Sequence, residues 1–321
     1  VTVTRSGAGD TDIEDILASG DVTVTLTGSG TIDIGETGTP VTVTGDFTVA
    51  GGTHTGAIDI DTDSTGNVTI TTGAGADTIV ADGATASGKT HTINTGGGAD
   101  DVTGGAGVDN INLGDGDDTL SASGGGNDVM DGGAGDDTFT MAATLTAADT
   151  ITGGAGEDTL TATIAADYTS NLSGVEIVTF NIDDSSATVA IDMSSVTDVS
   201  RINLTGQAAA DVGSVTGIVS GATVRISDGN LIPTLDTAAD ATLTVDLHAN
   251  SGRALTVTDA QTVNIVTTNA GTDTAVGSLA LDAADTHTLT VTGSSTAGDT
   301  IATGNITGSD EVTSVTATSS A

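Results

Sequence analysis

The sequence predicts an all-β fold, namely an elongated parallel β-roll or β-solenoid with glycine-rich turns. A nine-residue pattern, Gly-Gly-x-Gly-x-Asp-x-U-x with U apolar, recurs through the middle of the chain, as is typical of solenoids. Short runs on both sides of it alternate apolar and polar residues. The composition, with 46 glycines, 2 prolines and abundant Thr and Val, favours strands and turns. Clean copies of the pattern begin at Gly104, Gly132 and Gly153, and looser copies at Thr72, Thr95, Leu113 and Ser123.

Residues 1–71 are predicted to be a strand-rich start of the solenoid. Runs such as residues 22–26 and 68–71 alternate with a period of two, which places one face of each strand in the core and the other in water. Turn residues separate these runs at short intervals, as expected of stacked rungs.

Residues 72–161 hold the repeats and are predicted to form the β-roll itself. The first six residues of each repeat turn the chain, because glycine adopts positive φ at no steric cost. The last three form a short strand whose middle residue points inward. Two repeats complete a coil of 18 residues, so turns two repeats apart stack on the same side. The predicted inward residues are Ile79, Val102, Ile111, Leu120, Met130, Phe139 and Leu160.

The stacked turns predict calcium sites. Aspartates on neighbouring rungs repel one another. A Ca²⁺ ion between them accepts both carboxylates, and glycine-turn carbonyls can complete its roughly six to eight oxygen ligands, whereas Mg²⁺ demands stricter octahedral geometry. The predicted ligands are the side chains of Asp77, Asp100, Asp109, Asp118, Asp128, Asp137 and Asp158, with backbone carbonyls near Gly96, Gly98, Gly105, Gly107, Gly114, Gly116, Gly124, Gly126, Gly133 and Gly135.

Two positions depart from the regular pattern. Residues 86–94 keep the register of their neighbour but have His91 where the aspartate belongs, so we interpret them as a decayed repeat that keeps its strand and loses its ligand. Ala122 is interpreted as a one-residue insertion. The histidines, including His54, are expected on strand surfaces or in turns.

Residues 162–321 lose the glycine pattern but keep short Thr/Val-rich strands, for example residues 177–182 and 242–247. The spacing between these strands is irregular. Two architectures therefore stay open, a continued β-solenoid, which is the first choice, and a separate β-sandwich.

The charge balance limits the function classes. The chain has 44 Asp+Glu against 5 Lys+Arg, a net charge of −39, and no cysteine. Scattered basic residues and few aromatics argue against nucleic-acid binding. No apolar run approaches the about 20 residues of a membrane helix, so no membrane insertion is expected. Because the chain has no disulfides, metal ions are expected to stabilise its fold. A disordered acidic linker and a metal-free solenoid are the alternatives.

No catalytic arrangement is visible. His-Glu-x-x-His and Gly-x-Ser-x-Gly are absent, and the four histidines lie far apart, so we expect neither an enzyme nor a zinc site. Asp59, Asp61 and Asp63 match the start of an EF-hand loop. Ile70 stands where the final glutamate belongs, which favours a plain acidic strand face.

The repeats in residues 72–161 resemble the repeats-in-toxin (RTX) family of calcium-binding β-roll proteins. The Thr/Val-rich flanks, with residues 172–176 leading into a strand, resemble the β-solenoid repeats of Caulobacter-type bacterial surface-layer (S-layer) proteins. These resemblances imply export through a type I secretion channel, folding on meeting external calcium, and calcium-dependent assembly.

The leading function hypothesis is an extracellular structural protein that self-assembles into a bacterial surface layer or filament. Its expected partners are further copies of the chain, with cell-surface polysaccharide as a second candidate. The alternatives are an RTX adhesin or biofilm-matrix segment and the calcium-binding tail of a secreted hydrolase. A flanking ligand-binding domain would favour the first alternative, and a catalytic domain upstream of Val1 the second.

Overall fold

The computed structural model describes residues 1–13, 16–35, 40–81, 88–122, 125–141, 145–182, 188–206, 211–227, 234–247, 253–267, 275–281, 287–294, 302–307 and 312–320. Every helix or strand element in these residues is a strand, so they contain no helix able to cross a membrane. The strands are β1 (Thr2–Gly7), β2 (Thr11–Ile13), β3 (Leu17–Ala18), β4 (Val22–Gly28), β5 (Ile32–Ile34), β6 (Thr42–Val43), β7 (Phe47–His54), β8 (Ile58–Asp61), β9 (Val68–Thr71), β10 (Thr78–Val80), β11 (Thr90–Gly97), β12 (Asp101–Gly104), β13 (Val108–Asp115), β14 (Thr119–Ala122), β15 (Val129–Ala134), β16 (Thr138–Met141), β17 (Thr150–Ala155), β18 (Thr159–Ile164), β19 (Tyr168–Thr169), β20 (Leu172–Ser173), β21 (Ile177–Ile182), β22 (Thr188–Asp192), β23 (Arg201–Gly206), β24 (Asp211–Ile218), β25 (Thr223–Ile226), β26 (Thr234–Leu247), β27 (Arg253–Thr267), β28 (Ala275–Leu281), β29 (His287–Ser294), β30 (Ala302–Thr307) and β31 (Val312–Ser320).

The chain divides by its contacts into two compact units. Unit 1 comprises Val1–Leu160 and Asn171–Val175, and unit 2 comprises Thr161–Ser170 and Glu176–Ala321. The division of the sequence into three segments, at residues 71/72 and 161/162, stays a prediction.

Unit 1 is a parallel β-solenoid made of two long sheets, with β3 and β6 forming a small third sheet. The first sheet has the order β1-β4-β7-β9-β11-β13-β15-β17-β20. The second pairs β2, β5, β8, β10, β12, β14 and β16 in parallel, in that order. From β7 to β17 the chain alternates between the two long sheets, so each coil adds one strand to each. Stacked residues are 18 apart between β11 and β13, as predicted, and 19 and 21 apart in the next two coils.

The core of unit 1 follows from the two-residue alternation. Ile79, Val102, Leu120 and Phe139 occupy one column of the second sheet, each in register with the next. All seven predicted inward residues are at most 1% exposed, which confirms the prediction. Burying one such side chain stabilises the fold by about 1.5–3 kcal/mol. The apolar column holds the coils in register and thereby fixes where the turns stack.

Unit 2 is also built from parallel strands. β21 pairs with β23, β23 with β25, and β25 with β26. β22 pairs with β24, and β24 with β26. A β-sandwich of the type considered above consists of antiparallel sheets. The described strands therefore confirm the β-solenoid and do not form a sandwich.

Candidate metal centre

The coils of unit 1 turn at two edges. At edge 1 the chain passes from the first sheet to the second, for example between β11 and β12 and between β13 and β14. At edge 2 it returns to the first sheet, between β12 and β13, β14 and β15, and β16 and β17. Because the strands are in register, the described parts of the turns of each edge lie above one another.

Edge 1 carries an unbroken row of buried aspartates, one immediately before each of the strands β10, β12, β14, β16 and β18. In each, Oδ1 accepts the backbone N–H of the aspartate one coil earlier. These four bonds measure 2.8, 2.7, 2.9 and 2.8 Å in chain order. The first member accepts from the N–H of Ile58 at 2.7 Å. The edge-1 aspartates are Asp77, Asp100, Asp118, Asp137 and Asp158.

The second carboxylate oxygen is the unusual feature of this row. Oδ2 of Asp77, Asp100, Asp118 and Asp137 is buried and has no hydrogen-bond partner among the described residues. Buried polar atoms in folded proteins are nearly always paired. A repeated, inward-facing oxygen without a donor therefore indicates that something outside the polypeptide completes the site.

Burial also makes these carboxylates costly to ionise. Desolvation raises the pKa of Asp77, Asp118 and Asp137 to about 6. The Thr72 hydroxyl at Asp77, and the backbone hydrogen bond to Oδ1 in all three, act in the opposite direction. The neighbouring carboxylate charges add to the rise. Desolvation likewise raises the pKa of Asp100. At neutral pH the row is thus a stack of buried negative charges that a cation would stabilise.

The glycines of edge 1 bring backbone carbonyls into the same stack. Gly116 has φ of 143°, and a Cβ atom there would collide with the carbonyl oxygen of Gly98. Gly135 stands in the same relation to the carbonyl of Gly116, one coil later. Only glycine permits both this backbone conformation and this close approach. The carbonyl oxygens therefore lie inside the stack of turns.

Edge 2 carries a shorter row, formed by Asp109, Asp128 and Asp149. Oδ1 of Asp128 accepts the N–H of Asp109 at 2.9 Å, and Oδ1 of Asp149 accepts that of Asp128 at 2.9 Å. Protein groups close both ends of this row. Nδ1 of His91 lies 2.6 Å from Oδ1 of Asp109, and Oδ2 of Asp149 accepts the backbone N–H of Thr146 at 2.7 Å. Desolvation raises the pKa of Asp128 to about 6.

The donor set fits calcium. Among the described residues, no three His, Cys, Asp or Glu side chains group together as a metal cluster. An ion between two turns would therefore take one or two carboxylates and complete its shell with carbonyls. Ca²⁺ accepts such an all-oxygen shell in flexible geometry. Zn²⁺ prefers a tetrahedral set rich in nitrogen and sulfur.

All seven aspartates predicted as ligands are buried, five of them on edge 1 and two on edge 2. Their ligation of an ion stays a prediction, as does that of the glycine carbonyls. Among the latter, Gly124 lies outside the described residues. Asp149 was missed, because the glycines that should precede it have been lost. The surviving sequence Asp149-Thr150-Ile151-Thr152, which is the end of a repeat, is the signal that could have found it.

Two of the smaller predictions were wrong. His54 and His91 are 1% and 0% exposed, whereas surface or turn positions were expected. Both rings can be buried because each has a polar partner, the Gly30 carbonyl for His54 and the Asp109 carboxylate for His91. Ala122 pairs with Gly104 and Met141 in an unbroken strand register, so the extra residue of that repeat lies in the turn that follows. The strand of the decayed repeat at His91 is retained as β11, as predicted.

A parallel β-roll with one buried aspartate per stacked glycine turn defines a class of calcium-binding repeat domain. A model of the RTX calcium-binding nonapeptide repeat family, in four copies, matches residues 59–84, 92–120, 122–139 and 144–168. These four stretches are similar to the RTX calcium-binding nonapeptide repeats, and the cofactor that such repeats bind is calcium, with several ions for four copies. No curated protein and no solved structure matches the chain.

Proposed function

We propose that this protein is an extracellular structural protein, a calcium-stabilised β-solenoid that self-assembles into a bacterial surface layer or filament. The observation that supports it is the set of four buried edge-1 carboxylates, Asp77, Asp100, Asp118 and Asp137, whose Oδ2 atoms have no hydrogen-bond partner among the described residues. Such a fold is complete only when calcium is abundant, as it is outside cells. Domains of this repeat class are typically structural parts of secreted proteins.

The outer surface supports assembly through shared cations. Asp59, Asp101, Asp115 and Asp117 are exposed on strands or turns of unit 1, and the whole chain has a net charge of −39. Copies with this charge repel one another at low ionic strength. Divalent ions held between exposed carboxylates of two copies would convert that repulsion into attachment. Calcium would then serve twice, inside the turns and between molecules.

Electron microscopy of the 321-residue chain tests the proposal. We expect ordered sheets or filaments in millimolar calcium and dispersed molecules after chelation. Magnesium at equal concentration is the control, because it screens charge equally but does not suit the turn sites. Dispersed monomers at high protein concentration in calcium would contradict assembly and favour the adhesin-segment alternative.

A further inference from the structure

The inward column of edge 2 changes character at a single residue. Before it the column is apolar, as the registers of β4, β7, β9 and β11 show. After it the column is the aspartate row. The change occurs at His91, which is in register with Val68 on one side and Asp109 on the other. In chain order the column reads Val22, Phe47, Val68, His91, Asp109, Asp128 and Asp149.

The His91 ring lies where the turn and the carboxylate face each other. The residue is fully buried, and its Nδ1 is 2.6 Å from Oδ1 of Asp109. A Cβ atom added to Gly105 would lie 2.7 Å from Cε1 of the ring, so the imidazole covers the glycine turn. Because an ionised carboxylate only accepts, Nδ1 is assigned as the donor. Nε2 is buried and has no hydrogen-bond partner among the described residues.

This arrangement replaces the bond made elsewhere in the rows. In the other coils, Oδ1 of a row aspartate accepts a backbone N–H from the coil before it. At Asp109 the imidazole supplies the donor from the coil before. The ring also fills the volume above turn 105–107. Among the described residues, the column position one coil before Asp109 is His91, and the position before that is Val68, so neither offers a carboxylate to share an ion.

We propose that His91 closes the N-terminal end of the edge-2 calcium row, with its imidazole in the place that an ion holds between two aspartates further along. The inference rests on the proposed calcium binding by the repeats. It assigns His91 a role in limiting how many ions the row binds, because the imidazole takes the place of an ion on the N-terminal side of Asp109. A histidine in this column thus ends the row of calcium sites.

Edge 1 also has a buried, hydrogen-bonded histidine before its first buried aspartate, Asp77. His54 is buried, and its Nε2 lies 2.6 Å from the carbonyl oxygen of Gly30. Gly30 belongs to the glycine column that continues through Gly56 and Gly75, since a Cβ atom on each would collide with the carbonyl before it. On each edge a histidine therefore lies within hydrogen-bond distance of an oxygen of the kind that binds calcium. His54 contacts a carbonyl oxygen on edge 1, and His91 contacts a carboxylate oxygen on edge 2.

Calcium stoichiometry tests the role of His91. Bound calcium per chain would be counted by native mass spectrometry on the 321-residue protein and on the His91→Asp variant. We expect one additional ion in His91→Asp, because the substitution supplies the missing carboxylate and vacates the ring volume. Thr92→Asp is the matched control, since it adds the same charge one residue away on the exposed outer face, and it should add no ion.

A second variant tests the hydrogen bond to Asp109 separately from the space that the ring fills. His91→Phe keeps a ring in a column that already holds Phe47, but it removes the donor to Asp109. We expect an unchanged number of ions and a several-fold higher calcium midpoint in a circular dichroism titration. A His91→Asp protein that folds with the unchanged number of ions would overturn the inference, as would a His91→Phe protein that titrates like the parent. A parent chain that binds no calcium would overturn the proposed function, and the inference with it.

Discussion

Edge 1 and edge 2 of unit 1 are built from the same nine-residue pattern, yet the hydrogen-bond partners of their buried carboxylates differ. On edge 1, Asp118 and Asp137 lie in an unbroken row and each has a buried Oδ2 with no partner among the described residues. On edge 2, the two ends of the row at Asp109 and Asp149 are bonded to protein groups. The motif therefore does not decide by itself how strongly a turn depends on calcium.

The difference lies in what occupies the rest of each turn. Edge 1 keeps its glycines at positive φ in successive coils, so the turns have one shape and their carbonyls stack. On edge 2 the first position has a histidine, and the last turn bonds Asp149 to Thr146 through both the backbone N–H and the hydroxyl. Where the turns repeat regularly, as on edge 1, the buried carboxylates need an external cation. Where local substitutions supply protein donors, as on edge 2, they need it less.

The largest effect is expected from a methyl group placed in the two kinds of turn. Gly116→Ala on edge 1 meets both a φ of 143° and a collision with the Gly98 carbonyl. We expect it to lower the free energy of unfolding by about 3 kcal/mol or more. Gly125→Ala on edge 2 is the control, because nothing lies within 4 Å of its Cβ position. Urea unfolding in calcium measures both, and equal losses would contradict the cost assigned to the carbonyl contact and the positive φ at Gly116.

A smaller effect is expected from the same Asp→Asn change on each edge. With calcium present, Asp118→Asn should raise the calcium midpoint about tenfold, which corresponds to about 1.4 kcal/mol. Without calcium it should leave the unfolding free energy unchanged or raised, because it removes a buried unpaired charge. Asp149→Asn should destabilise by about 1–2 kcal/mol in both conditions, since its partners belong to the protein.

Chemical denaturation in calcium and in chelator distinguishes these two behaviours. Asp101→Asn is the control for charge alone, because Asp101 is exposed beside Asp100 and its loss should change stability by no more than about 0.5 kcal/mol. If the effect of Asp118→Asn proved independent of calcium, the role given to edge 1 would be wrong.

The smallest effect is expected from pH in calcium-free protein. The folded-state pKa of Asp77, Asp118 and Asp137 is about 6, above the ordinary value of 3.8. Between these values the folded state binds more protons, so the free energy of unfolding should fall as pH rises from about 4 to about 6. Calcium needs the ionised form, so the calcium midpoint should rise as pH falls below about 6.

Thermal melting of dialysed protein across this pH range, with and without calcium, measures both directions. The unchanged protein would be compared with Asp118→Asn, in which one of the raised groups is absent and the pH dependence should be weaker. A calcium-free stability that rises from pH 4 to pH 6 would contradict the burial of these carboxylates.

Much of unit 1 could be predicted from the sequence because its information is local. A glycine turn, an aspartate and an apolar residue at fixed spacing place Asp118 at the turn and Leu120 in the core without knowledge of the rest of the chain. The fate of Asp149 and the burial of His91 depend on which residues stack one coil away. That register accumulates over coils of 18, 19 and 21 residues and is set by packing between them.

Circular dichroism and thermal melting of the 321-residue chain, in chelator and again in millimolar calcium, test the central claim most directly. The claim is that the edge-1 aspartates make the repeat region depend on calcium. We predict a loosened repeat region in chelator and a cooperative gain of β-structure with a higher melting temperature in calcium, which equal magnesium does not reproduce. Identical spectra and identical melting in chelator and in calcium would contradict it.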